Sequence, residues 1–205
     1  MDALEFGVGA RVSLHPMTDQ FEDIISGALD EVSATEAANR LQAQTGTIST
    51  LLRGREADLA RYLVDLVAAA TRRCHGTHLA ALIQLSRGCP GEVSCSGTGD
   101  AWVPGPLPEI SATGVAAQAE WALYPLTGPG ERAEHMEAIT AAIDRARERG
   151  LVTDGGHFVT LLSGDLADII SLVTATWMQC GASVGHVVSH LSLAVNIPDT
   201  HQEQQ

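Results

Sequence analysis

The sequence predicts an α+β fold built from two copies of one βαββαβ unit, each an antiparallel four-stranded sheet with two helices on one face. Three pairs of segments indicate the duplication: A-R-V-S-L-H-P-M-T-D from position 10 matches A-E-W-A-L-Y-P-L-T from 119, T-L-L-R-G from 50 matches T-L-L-S-G from 160, and His78–Pro90 matches His186–Pro198. Their offsets are 109, 110 and 108 residues, and a near-constant offset is typical of an internal repeat. We therefore interpret 8–90 and 116–198 as two domains, joined by a Gly-, Pro- and Ser-rich linker at 91–115.

A change in apolar spacing separates the first strand from the first helix. Residues 8–15 alternate between apolar and polar side chains, which predicts a strand with one buried face. Pro16 ends this strand, and Thr18 or Asp19 can cap the helix that follows. The apolar residues of that helix recur at helical spacing: Phe21, Ile24, Ile25, Ala28, Leu29 and Val32.

A hairpin, a helix and a last strand complete the first unit. Residues 39–44 and 47–52 predict two short strands with a turn at Thr45 and Gly46. A helix from Glu56 to about Arg73 has its own apolar stripe. The strand predicted at 78–87 turns alternate residues toward the helices, namely Leu79, Ala81, Ile83 and Leu85.

The second unit repeats this order. Its predicted elements are a strand at 118–124, a helix at about 131–149, a hairpin turn at 154–156, a strand at 157–162, a helix at about 166–180 and a strand at 186–197. In both units the first and third strands are central, and one face of the sheet has no helices.

The helix-free face combines polar and apolar side chains. Its predicted polar residues are Ser13, His15, Gln84 and Ser86 in the first unit and Tyr124, His190, Ser192 and Asn196 in the second. Its apolar residues are Ala80, Leu82, Ala122, Val188 and Ala194. Leaving them in water is unfavourable, so we expect the other unit or a second chain to cover this face.

Neutral donors and acceptors between apolar walls suit a flat heteroaromatic ligand, although they could equally pair with each other or with water. On the third strand either Thr50 or the pair Ser49 and Arg53 faces the site; we prefer Thr50 because Thr160 matches it. His15 could act as a base or a ligand, but its counterpart Tyr124 can do neither, which favours a role as a pocket wall.

The charge balance narrows the class of partner. The formal charge is −13, the pI is near 4.8, and all 12 basic residues are arginines. This argues against nucleic acid, because neutralising phosphates dominates such binding, and it is compatible with a small cationic ligand. We expect a cytoplasmic protein, because the sequence shows no secretory leader and no membrane-spanning apolar run.

Neither the cysteines nor the histidines have the spacing of a metal site. Cys89 and Cys95 are too far apart in sequence for a zinc knuckle, so four free thiols are expected. His186 and His190 lie about 13 Å apart along a strand. No metal or cofactor is predicted.

Together, these motifs resemble the YkoF-like thiamin and hydroxymethylpyrimidine-binding family. The resemblance extends from about Val8 to Pro198 and includes T-I-S-T-L-L-R-G-R, G-C-P-G and the closing A-V-N-I-P. It implies tandem ferredoxin-like (ACT-like) units, a homodimer, one thiamin or pyrimidine site per repeat and no catalysis. It also implies an association with uptake of the thiamin precursor, and so a functional link to a membrane transporter.

The resemblance also implies site residues, which we carry over by motif. The first site would use Ser13, His15, Met17, Ser49, Thr50 and Arg53, and the second Tyr124, Leu126, Thr160 and Ser163. A thiazolium charge would sit near a carboxylate such as Asp19. The second copy lacks the serine and arginine of the first, so its site is expected to differ in affinity or to be silent.

Two other classes remain open. Ferredoxin-like proteins also include small monooxygenases and isomerases, and ACT-like units include small-molecule sensors. No acid, base or nucleophile recurs in both units, which counts against an enzyme. A sensor without a fused output domain would have to act through a protein contact.

Overall fold

A computed structural model describes residues 2–88, 102–103, 105–107, 109–126 and 132–198. The described elements, in chain order, are β1 (Gly9–Pro16), α1 (Phe21–Ser33), α2 (Glu36–Asn39), β2 (Gln42–Thr45), β3 (Thr50–Arg53), α3 (Glu56–Arg73), β4 (Leu79–Arg87), β5 (Ala116–Leu126), α4 (Arg132–Glu148), β6 (Val152–Gly155), β7 (Thr160–Asp165), α5 (Leu166–Ser183) and β8 (His186–Val195). The predicted α+β class and the repeated halves are confirmed, with β1–β4 forming the first half and β5–β8 the second.

The two halves share one eight-stranded sheet, in the order β2-β3-β1-β4-β8-β5-β7-β6. The strands β4 and β8 join the halves as antiparallel neighbours, with Ile83 opposite Leu191. These two residues are also 108 positions apart, so an approximate two-fold axis passes between them, perpendicular to the sheet. Because the halves join edge to edge, neither covers the other's helix-free face.

The core lies between the sheet and the helices. The four residues predicted to point inward from β4 are all buried, as are their counterparts on β8. Ser189 is buried among them, and its hydroxyl accepts a hydrogen bond of 2.9 Å from Nε1 of Trp121. The alternation therefore identified the core face of both strands that join the halves.

The structure departs from the sequence analysis in the first half. Neither Thr18 nor Asp19 caps α1, because the helix begins after Gln20, whose side chain makes no capping hydrogen bond. The short helix α2 was not predicted; Thr35 caps it by accepting a hydrogen bond from the Ala38 amide, and β2 consequently begins only at Gln42.

In the second half, β7 begins at Thr160 rather than at residue 157. Phe158 has a φ of 71°, a left-handed conformation that belongs to the turn before the strand. The strand also extends three residues beyond the predicted end, to Asp165, which caps α5 through the Ala167 amide.

A buried arginine joins several parts of the chain. Arg87, at the end of β4, is 0% exposed and donates hydrogen bonds to the backbone carbonyls of Met178 (3.0 Å) and Trp102 (3.1 Å). Its guanidinium lies 3.9 Å from the Glu56 carboxylate and over the Phe6 ring. The linker residue Trp102 thus packs against the chain's own core, where its Nε1 also donates to Glu56.

Cys74 is a buried free thiol and Cys180 is also buried, while Cys89 and Cys95 lie outside the described residues. None of the helices in the described part of the chain combines the length and hydropathy needed to cross a membrane.

Candidate functional site

The helix-free side of the sheet, called the free face below, holds most of the polar side chains that the alternation identified. Each of them is exposed or half-buried: Ser13, His15, Gln84, Tyr124, His190 and Ser192. Strand pairing brings side chains of the two halves together, because Gln84 lies opposite His190 across the β4–β8 pair.

A groove of about 420 Å³ crosses this junction on the free face. Its walls come from both halves and consist of Arg11, Ser13, Ser49, Leu82, Gln84, Tyr124, Val188 and His190. Its volume lies within the range of small-molecule sites, about 300–1,000 Å³. Five residues predicted for a ligand site therefore line a single cavity.

The polar groups of the groove are held by local hydrogen bonds. The Arg11 guanidinium donates to the Ser49 hydroxyl at 3.1 Å, which fixes the serine beside β1. His15 lies two residues after Ser13 on β1, outside the groove walls, and its Nε2 is 3.1 Å from the Ser13 hydroxyl. Leu82 and Val188 provide apolar surface beside the amide of Gln84. Such an arrangement can hold a flat ring between apolar walls while hydroxyl and amide groups bind its edge.

The preference for Thr50 on this face was wrong. Thr50 pairs with Val12, a core residue, and therefore points to the helices. It is 5% exposed, and its hydroxyl lies 3.1 Å from that of Thr45. The opposite parity, with Ser49 and Arg53 on the free face, is the one that the structure shows. Of these two, Ser49 lines the groove.

Thr160 also points to the helix side of the sheet, since it pairs with the core residue Trp121. It lines a second cavity of about 580 Å³ between α4 and the β6–β7 hairpin. Trp121, Ile139 and Phe158 line it too, and Phe158 is 96% exposed. The matched threonines thus share a face, but it is not the face that was predicted.

The other predicted residues lie outside the groove. Met17 and Asp19 follow β1 and are exposed, and Leu126 is exposed at the end of β5. Ser163 is half-buried on β7, two strands away from the β4–β8 junction.

Two further predicted residues are also absent from the groove walls. Arg53 donates a hydrogen bond of 2.9 Å to the Leu4 carbonyl, which holds its side chain near the N-terminal segment. Ser192 lies on β8 opposite Leu82, next to the groove. Neither residue contributes to the cavity wall.

The sequence analysis did not assign Arg11 to the site, although the alternation placed it on the same side as Ser13. It also missed Trp121 and Phe158 in the second cavity, because only the tertiary arrangement of α4 and the hairpin creates that space. Among the described residues, no group of three or more His, Cys, Asp or Glu side chains forms a potential metal centre. Burial lowers the pKa of His186, at the start of β8, which favours its neutral form.

Comparison with known proteins identifies the family of the chain. The model of the "YKOF-related Family" matches residues 7–92 and again residues 116–200, one match for each half. A Bacillus subtilis (strain 168) protein named "Putative HMP/thiamine-binding protein YkoF" is 29% identical over 204 residues, which cover 96% of this chain and 94% of that protein. The chain belongs to the YKOF-related family.

Proposed function

We propose that the protein binds thiamin or its hydroxymethylpyrimidine precursor without catalysing a reaction on it, and that the groove on the free face holds the pyrimidine ring. The observation that carries the proposal is the convergence of Ser13, Ser49, Gln84, Tyr124 and His190 on one cavity. The name of the Bacillus subtilis relative supports the same ligand class.

The groove matches the chemistry of an aminopyrimidine. The ring has acceptor nitrogens and a donor amino group along its edge, and the hydroxyls and the Gln84 amide can bond to both kinds of group. Tyr124, Leu82 and Val188 offer apolar surface to its faces. Hydroxyl and amide groups can hold such a ring directly, and the proposal includes no cofactor.

One site per repeat remains part of the proposal. The second cavity, lined by Thr160 and Trp121, offers a hydroxyl and an indole surface in a volume of about 580 Å³. It lies in the second half, away from the β4–β8 junction. Tyr124 lines both cavities, but the other residues of the second cavity differ from those of the groove, so we expect its affinity to differ too.

We further propose a homodimer in which a second chain covers the free face. Leu82 and Tyr124 are 41% and 47% exposed there, and the other half of the chain does not cover them. The strand lengths and a spacing of about 4.8 Å give this face roughly 900 Å². Two such faces bury about 1,800 Å², which is typical of stable interfaces. The protein would receive or store the precursor in the cytoplasm after uptake by a membrane transporter.

Titration calorimetry with thiamin and, separately, with hydroxymethylpyrimidine tests the proposal. We expect Gln84→Leu and Ser49→Ala each to weaken binding about 5- to 15-fold, the value of one lost hydrogen bond of about 1–1.5 kcal/mol. Thr50→Val is the matched control: it removes a hydroxyl from the residue next to Ser49, but on the other face of the sheet, and should leave the affinity unchanged.

The number of ligand molecules bound per chain gives the number of sites. Two equivalents per chain, reduced to one by Thr160→Val, would support a second site beside Trp121. Absence of heat with both ligands would refute the assignment of the ligand, and equal affinities in the wild type, Gln84→Leu and Ser49→Ala would refute the assignment of the groove.

A further inference from the structure

The two halves of the chain carry opposite charges on their strands. The sequences of β1–β4 contain arginines and no Asp or Glu, whereas β5–β8 contain Asp and Glu and no arginine. On the free face, Arg11 and Arg53 belong to the first half, and Glu120 and Asp154 to the second. The face is therefore positive on one side of the β4–β8 junction and negative on the other.

Arg11 and Glu120 occupy equivalent positions in the duplicated fold. They lie 109 residues apart, on the first strand of each half. Arg11 pairs with Gln84, which is one residue from Ile83 at the centre of the β4–β8 pair. Glu120 pairs with Ser192, which is one residue from Leu191 at the same centre, in the opposite direction along the strands. The approximate two-fold axis thus relates a cation to an anion.

A second copy can cover this face in two symmetric ways, and the charges distinguish them. If the dimer axis runs along the strands, the first half of one chain covers the second half of its partner. Arg11 then lies across from Glu120 of the partner subunit, displaced along the strands by two residues, or about 7 Å. If the axis runs across the strands, Arg11 lies at the same displacement from Arg11 of the partner subunit, and Glu120 from its own copy.

We infer that the homodimer proposed above, on which this inference rests, forms with its axis along the strands. Face-to-face sheets pack about 10 Å apart, a gap that an extended arginine side chain can bridge. The arrangement makes the Arg11–Glu120 contact twice in each dimer, because an isologous interface repeats every contact. The alternative brings like charges together twice, which selects against it.

This orientation also completes the groove. Arg11 is one of its wall residues, and a lone cation there would repel a positively charged ligand. Glu120 of the partner subunit neutralises it at the interface. The ligand-binding groove and the subunit contact therefore depend on the same arginine.

Sedimentation velocity over a dilution series, without ligand, tests the orientation. Arg11→Glu places a carboxylate across from Glu120 in both contacts, and we expect the dimer dissociation constant to rise about tenfold or more. Glu120→Arg should have the same effect by placing two arginines together. The double variant Arg11→Glu/Glu120→Arg exchanges the charges and should restore an affinity close to the wild type.

Arg147→Glu is the matched control, because it makes the same change in charge on α4, away from the free face, and should leave the dissociation constant unchanged. Circular dichroism establishes that each variant is folded, and if Arg11→Glu does not fold, Glu120→Arg provides the same test. An unaffected dissociation constant in both single variants, no recovery in the double variant, or a wild-type monomer at every concentration would overturn the inference. Since no ligand is present, these results are independent of the calorimetric test of function.

Discussion

Replacing Arg87 by methionine tests how the two halves, the linker and the N-terminal segment are held together. Methionine keeps the length and apolar volume of the arginine stem but removes its charge and its donors. Arg87 is 0% exposed, and its hydrogen bonds reach Met178 on α5 and Trp102 in the linker. The substitution therefore removes contacts between parts of the chain that are distant in sequence.

The expected cost follows from these contacts. Glu56 is 1% exposed and lies 3.9 Å from the guanidinium, so the variant leaves a buried carboxylate whose hydrogen bond from Trp102 remains. Removing one partner of a buried ion pair costs about 3–5 kcal/mol. Burial lowers the pKa of Arg87, and the negative charge of Glu56 offsets only part of this effect.

Urea denaturation followed by circular dichroism measures the effect. We expect Arg87→Met to lower the free energy of unfolding by about 3–5 kcal/mol, and Glu56→Gln in the same chain to recover part of that loss, because it removes the unpaired charge but keeps an acceptor for Trp102. Arg72→Met is the matched control: Arg72 pairs with Glu31 at the surface, and it should cost less than about 1 kcal/mol. Equal losses for the two methionine variants would refute the reasoning.

Three other changes have defined outcomes. Although burial alone would raise the pKa of Asp165, hydrogen bonds from the backbone amides of Thr113, Ala167 and Gly114 lower it. Asp165→Asn should therefore lower the free energy of unfolding by about 1 kcal/mol at pH 7, and urea denaturation at several pH values should show this difference shrinking as the pH falls below about 4. Gly88 has a φ of 84°, and a Cβ there would lie 1.8 Å from the Gly185 carbonyl oxygen. Gly88→Ala should therefore lower the free energy of unfolding by more than about 2 kcal/mol in the same assay. A smaller loss would show that β4 and β8 can move apart at this end of the pair. Burial raises the pKa of Cys180 to about 11, and peptide mapping after labelling at pH 8 should find this thiol modified only in the unfolded protein; rapid native labelling would contradict its burial.

Much of the fold was predictable from apolar spacing, because the strands that matter most are long and buried on one side. The inward residues of β4, such as Ile83 and Leu85, alternate without interruption, and α3 begins and ends where its spacing indicated. The short helix α2 was missed because four residues are too few to show a period. The pairing of β4 with β8, which joins the two halves, was also not predicted, because no sequence pattern marks which edge strands of two sheets pair with each other.

The candidate site was predicted less completely. The alternation identified Ser13, Gln84 and His190, since each lies on a long strand with an unambiguous buried face. It failed for Thr50, because Leu51 and Leu52 are both apolar and only the pairing with β1 decides between the two parities. Arg87 lies on the core face by the same alternation, but its neutralising partner Glu56 is on another element, so sequence spacing alone could not have paired them.

The edge-to-edge arrangement brings unlike residues of the two copies together in one groove. At the β4–β8 junction, residues from both copies line one groove, and a single ligand there would contact unlike edges from the two halves. Gln84 corresponds to Ser192, and Leu82 to His190, so the groove receives an amide and a leucine from one copy and an imidazole from the other. Keeping both copies identical would present a symmetric wall, which an asymmetric heterocycle cannot fully use. We therefore expect exchanging Leu82 and His190 by double substitution to retain the fold, since both face outward, while weakening ligand binding in the calorimetric assay. An exchanged variant with wild-type affinity would show that the position of these side chains in the groove does not matter.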